Sequence, residues 1–100
     1  MSLIYHVTTS GEWKAAVQNG FYEAASLSTE GFIHCSQAQQ VAGVLERYFT
    51  KKTSLVKLTI ETSKLTSRCI PERSASTGEE FPHIYGPVNL DAVIEVEALR

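Results

Sequence analysis

Ile4-Tyr5-His6-Val7-Thr8-Thr9-Ser10-Gly11-Glu12 reads as an apolar strand that carries a histidine and hands over to a helix. Ile4, Tyr5 and Val7 favour a buried strand over Leu3 to Val7. Thr9 with Glu12 has the spacing of a capping box, in which each side chain satisfies an orphan backbone N–H at the helix start. Trp13, Ala16 and Val17 follow at helical spacing. Gly20 then stops the helix, because glycine tolerates the left-handed conformation common at helix ends.

The same design recurs in Gly31-Phe32-Ile33-His34-Cys35-Ser36. Phe32 to Cys35 predicts a short strand, and Ser36 with Gln39 repeats the capping-box spacing. Val41, Val44, Leu45, Tyr48 and Phe49 trace an apolar helical stripe that ends near Lys51-Lys52. Between the two units, Phe21 to Ala25 predicts a short strand. Ser26-Leu27-Ser28-Thr29-Glu30-Gly31 has the composition of a loop.

Further on, Leu55 to Ile60 predicts a strand and Thr62 to Leu65 a helical turn. Arg68 to Arg73 predicts a strand whose Pro71 suits a sheet edge. Ser74 to Glu80 is a polar loop. Phe81 to Tyr85 and Ala92 to Val96 close the chain as strands, broken by Gly86-Pro87. The order is β-α-β-β-α-β-β-β-β. It predicts one α+β domain over residues 1–100, with two helices on a largely antiparallel or mixed sheet.

Composition narrows the function classes. The chain has 100 residues, 43% hydrophobic and 20% charged, with a formal net charge of −2. That charge gives no footprint for nucleic acid or an anionic membrane. Met1-Ser2-Leu3-Ile4-Tyr5 runs straight into a strand pattern with no secretory apolar region. No apolar run approaches the roughly 20 residues that span a bilayer. A cytoplasmic location is the expectation. Cys35 and Cys69 form no CxxC pair and no zinc spacing. Cys35 reads as a small buried hydrophobe.

The three histidines, His6, His34 and His83, all lie in strand-like contexts, two of them beside a helix start. Polar groups at strand ends beside free helix N–H groups build anion and nucleotide sites. A lone histidine on an apolar strand is ordinarily a core residue with satisfied hydrogen bonds. Three in similar contexts make a shared pocket the sharper reading. A zinc site would need them to converge, and nothing in their spacing supports one, so no metal is assigned. Arg47 falls on the polar side of its helix. Arg68 and Arg73 form a basic lip or simply decorate an edge strand. Glu30 is a loop carboxylate, with a general-base role as the alternative. Tyr85 is expected on the sheet face opposite His83, reaching the same pocket only if the strand bends at Gly86-Pro87. There is no nucleophile elbow, P-loop or GxGxxG.

Three blocks carry a resemblance: Ile4-Tyr5-His6-Val7-Thr8-Thr9, Thr29-Glu30-Gly31-Phe32-Ile33-His34-Cys35-Ser36, and Phe81-Pro82-His83-Ile84-Tyr85-Gly86-Pro87. In this order they resemble the bacterial domain-of-unknown-function family 952 (DUF952) over essentially the whole chain. That family brings no established activity. More distantly, the run hydrophobic-Tyr-His-x-Thr, helix, glycine, loop, hydrophobic-His-x-Ser, helix is similar to the NAD-binding lobe of ADP-ribosyltransferases. The nearest branch is the RNA 2′-phosphotransferases, with Leu-Tyr-His-Gly-Thr and Val-His-Leu-Ser blocks.

The resemblance implies a small split-sheet α+β domain with a cleft between two sheets. His6 matches the first histidine, which with its neighbouring hydroxyl holds the adenosine ribose and nearby groups of NAD; His34 matches the second. The chain also departs from the pattern. Val7 stands where the phosphotransferases have glycine, which keeps the backbone further from a ligand. The Arg-His of their N-terminal lobe has no counterpart, and no residue matches the late catalytic glutamate of other branches.

The expectation is therefore an ADP-ribosyltransferase-like domain binding NAD, ADP-ribose or a related nucleotide, with NAD as the candidate substrate and no cofactor assigned. His6 and Thr8 would contact ribose or phosphate. His34 and Ser36 would line the same cleft, with Ser36 also capping the second helix. Tyr85 would be a further ligand contact. His34 and His83 are the catalytic candidates, since histidine as a residue type titrates near neutrality. Two rivals stand beside this reading. One is a non-catalytic small-ligand or protein-interaction module with structural histidines. The other is a hydrolase or transferase acting on a different phosphorylated metabolite.

Overall fold

The computed structural model describes residues 2–100. β1 (Leu3–Thr9), β4 (Leu55–Glu61) and β8 (Val93–Ala98) form a three-stranded sheet in the order β1-β4-β8. β3 (Ile33–His34), β6 (Glu80–Tyr85) and β5 (Arg68–Arg73) form a second sheet in the order β3-β6-β5. β2 (Phe21–Tyr22) pairs with β7 (Val88–Asn89) in a two-stranded ribbon. Every pairing between these strands is antiparallel.

The two larger sheets meet at one seam. Tyr5 and Ser36 exchange backbone hydrogen bonds of 2.8 and 2.7 Å, so the residue two beyond the end of β3 pairs with the edge of β1. Strand alternation then matters. The face of β1 that sends Ile4 into the core also carries His6 and Thr8, both buried. β4 lies at the centre of its sheet. Leu58 and Ile60 on one face are fully enclosed, and Thr59 and Glu61 on the other are buried too. Ile33, Ile84 and Val88 complete a core in which each enclosed Ile, Leu or Val contributes roughly 1.5–3 kcal/mol.

The helix starts divide. α1 (Ser10–Asn19) has the expected Thr9–Glu12 capping box and ends at Gly20 in the left-handed region, φ 91°. α3 (Val41–Tyr48) carries the expected stripe, but Ser36 does not cap it. Ser36 is held by Tyr5, and the box is formed by Gln37 and Gln40 across a 3-10 turn at Ala38–Gln40. The segment expected as a loop holds a further helix, α2 (Ala25–Thr29), because Ala24 and Leu27 pack against the core. The strand expected over Phe21 to Ala25 is cut to two residues for the same reason. The architecture is α+β, with three short α-helices among the described residues instead of two. No helix among the described residues is long and apolar enough to cross a membrane.

Candidate functional site

A cleft of about 700 Å³ opens at the seam between the sheets. That volume lies within the usual range for small-molecule sites. All three histidines reach it, His6 from β1, His34 from β3 and His83 from β6. β3 and β6 place His34 directly opposite His83, with ring centroids 5.3 Å apart.

His6 is the most enclosed of the three. Its Nδ1 lies 2.6 Å from the His34 carbonyl oxygen and its Nε2 2.7 Å from the Tyr22 hydroxyl. A carbonyl can only accept, so Nδ1 carries the proton. Burial pushes the ring's pKa below its ordinary value and keeps it neutral, overriding the stabilising effects of the His34 carbonyl and the Glu12 charge. Nε2 is then an acceptor, and Tyr22 donates to it. Burial also raises the Tyr22 pKa, so the phenol keeps its proton. Both nitrogens of His6 are thus committed within the chain. A ligand meets its ring and neighbours unless it displaces Tyr22.

Thr8 is committed as a donor. Its hydroxyl gives a 2.8 Å hydrogen bond to Glu12 Oε1, which also accepts from the Thr9 hydroxyl and backbone N–H. Partial burial would raise the Glu12 pKa, but the bonds from Thr8 and Thr9 outweigh it and hold the carboxylate below its ordinary value. The capping box therefore serves the helix and at the same time brings Glu12 to the cleft wall.

His34 and His83 each have a carboxylate partner. His34 Nε2 lies 3.0 Å from Glu30 Oε2, and both side chains are half exposed. His83 Nδ1 lies 2.7 Å from Glu72 Oε1 on β5, with the imidazole mostly covered. Phe32 stacks on His83 with centroids 4.0 Å apart and meets the edge of His34 at 4.8 Å. With Nδ1 of His83 donating to Glu72, its Nε2 is free to take a proton.

Tyr85 lies on the same face as His83, not the opposite one, because residues two apart along a strand share a face. Its hydroxyl donates to the same Glu72 oxygen that His83 holds. That bond and the one from His83 hold the Glu72 pKa down, and the carboxylate in turn raises the Tyr85 pKa. Neither Tyr85 nor Glu72 lines the cleft itself.

Ser36 lines the cleft and is only 6% exposed, yet its hydroxyl has no hydrogen-bond partner among the described residues. Cys35 also reaches the cleft; burial raises its pKa, so it remains a thiol. Val44, Tyr48 and Phe49 from the α3 side and Phe81 from β6 form an apolar wall. Among the described residues no group of three or more His, Cys, Asp or Glu side chains is arranged to hold a metal.

Tyr22, Phe32 and Glu72 are absent from the sequence reading of the site. Glu72 becomes visible only once Ile70 is set opposite His83, which brings Glu72 diagonally across the strand pair. Glu30 had a local signal, since it precedes His34 by four residues.

No curated protein matches the chain. The crystal structure of protein CC0527 from Caulobacter crescentus is similar to it, with a TM-score of 0.90 and 32% identity, covering 99% of this chain and 87% of that one. The solution NMR structure of CC0527 gives a TM-score of 0.83 at 33% identity, covering 99% and 85%. The model of the family described as protein of unknown function, DUF952, matches residues 7–96. The three histidine-bearing strands fall within or at the edge of that match, and the chain belongs to the DUF952 family.

Proposed function

We propose that the chain is an ADP-ribosyltransferase-like domain that binds NAD, ADP-ribose or a related nucleotide in the histidine-lined cleft. The observation that carries this reading is the convergence of His6, His34 and His83 on one cleft at the seam of two sheets. The ADP-ribosyltransferase resemblance implies a cleft between two sheets with His6 and His34 in it; His83 is an addition to that pattern. In this reading Thr8 and Ser36 contact ribose, and His6 acts through the Tyr22 hydroxyl and the His34 backbone it holds.

Transfer follows from the free Nε2 of His83. The C1′–N bond of NAD breaks and nicotinamide leaves with the electron pair. An acceptor hydroxyl bonds to C1′, and its proton passes to Nε2. Glu72 stabilises the imidazolium that forms. His34, with Glu30, is the second acid–base candidate. Tyr85 helps to fix Glu72.

Calorimetric titration with NAD tests the reading. Binding that weakens in His34→Ala and His83→Ala supports it. No binding at millimolar ligand would sink it. A second reading, a non-catalytic small-ligand module, draws on the full internal satisfaction of His6. It predicts binding without any turnover.

A further inference from the structure

The anion-site logic of a histidine beside a helix start meets an obstacle here. At the start of α1 the backbone N–H of Thr9 points to Glu12 Oε1 and that of Glu12 to Thr9 Oγ1, so a carboxylate of the chain already occupies the position an external anion would take. Before α3 the Gln37–Gln40 box fills the equivalent position. Among the described residues no lysine or arginine lines the cleft, whereas Glu12 and Glu30 do. Phosphate sites ordinarily rely on arginine, lysine or free helix N–H groups.

The groups that remain have a different chemistry. The Thr8 hydroxyl donates to Glu12, so toward a ligand its oxygen can only accept. All the hydrogen bonds to Glu12 fall on Oε1, and Oε2 carries none from the described residues. Ser36, a residue only 6% exposed, opens onto the cleft; its Oγ has no partner among the described residues and can both donate and accept. Phe81 supplies an aromatic face to the cleft, and such a face attracts a cation; the Phe49 ring already carries the Lys52 ammonium, 5.4 Å from its centroid.

Resting on the nucleotide reading above, we infer that the cleft takes the cationic end of a nucleotide, a ribose carrying a positively charged aromatic base, and leaves phosphate groups outside. The acceptors Thr8 Oγ1 and Glu12 Oε2, with Ser36 Oγ, receive the ribose hydroxyls. The Phe81 face and the two glutamates favour the charged base. NAD enters with its nicotinamide riboside half, and its pyrophosphate remains in solvent.

Titration calorimetry of the full chain with NAD, nicotinamide riboside and ADP-ribose tests this. At low salt the riboside is expected to bind at least about tenfold more tightly than ADP-ribose, with the lead shrinking as salt screens the carboxylates. In an E12Q/E30Q variant the lead should fall severalfold, since glutamine still serves the capping box. Ser36→Ala should weaken riboside binding severalfold with an unchanged melting temperature, because its hydroxyl has no partner among the described residues. ADP-ribose binding more tightly than the riboside, or a lead unaltered in E12Q/E30Q, would overturn this inference while leaving the nucleotide reading standing. Absence of binding by all three ligands would overturn both.

Discussion

His6 donates its Nδ1 proton to the main-chain oxygen of His34 across 2.6 Å, so β1 is tied to β3 by a side chain next to the Tyr5–Ser36 backbone bridge. The seam that shapes the cleft therefore depends on a neutral imidazole with Tyr22 as its second partner.

This makes the fold sensitive to acid in a defined window. Unfolded, His6 titrates near 6.5; folded, burial lowers that value. As pH falls through 6.5 the unfolded chain takes up a proton that the folded chain refuses, so stability drops. Urea unfolding between about pH 7.5 and pH 5.5 should show a steeper loss for the wild type than for His6→Gln. Equal losses would mean that His6 is not held neutral. Glu12 and Glu72, whose folded values are lowered, lose their contribution at lower pH, as it falls from the ordinary value of 4.5.

Removing the Tyr22 hydroxyl leaves His6 Nε2 buried without a donor. Tyr22→Phe should cost about 1–3 kcal/mol in urea unfolding. In a His6→Ala background the added cost of Tyr22→Phe should largely vanish, because the pair is in direct contact. Simple additivity would show that the two act independently.

Local chemistry made some of this architecture readable in the sequence. Thr9 and Glu12 satisfy each other within one turn, and the Val41–Phe49 stripe and Pro71 at an edge are likewise near-neighbour signals. Ser36 was misleading because its backbone is taken by Tyr5, 31 residues earlier in the chain. α2 was hidden because the packing of Leu27 outweighs the turn-like character of its serines and threonine. The histidines, hydroxyls and blocks of the site stood in the sequence. Their convergence, the Tyr22 hydroxyl and the Glu72 partner depend on sheet register and on contacts between distant segments.

The end of β6 is sterically fixed. A Cβ at Gly86 would lie 2.5 Å from Ser67 Oγ and 3.0 Å from its Cβ, while that hydroxyl is itself bonded to the Pro87 carbonyl at 2.6 Å. Gly86→Ala should therefore cost about 1–3 kcal/mol. Ser67→Gly should recover part of that loss in the double variant, read as a melting temperature above that of Gly86→Ala alone. No recovery would place the strain elsewhere.

Glu72→Gln separates fold from chemistry at His83. The amide oxygen can still accept from the imidazole and Tyr85, but the negative charge is gone. The melting temperature should change little, since the carboxylate side chain is 40% exposed. NAD-dependent transfer or hydrolysis, followed as nicotinamide release, should fall at least about tenfold. Unchanged release would remove the His83–Glu72 pair from the mechanism.

The central claim is that the three imidazoles face one ligand. The most direct measurement is a histidine-selective NMR titration with NAD, following the ring resonances of His6, His34 and His83 separately. The account predicts that His34 and His83 shift together along one saturating curve, with His6 following more weakly through Tyr22 and the His34 carbonyl. Resonances that stay fixed at millimolar NAD, or a lone histidine that moves without its neighbours, would contradict it.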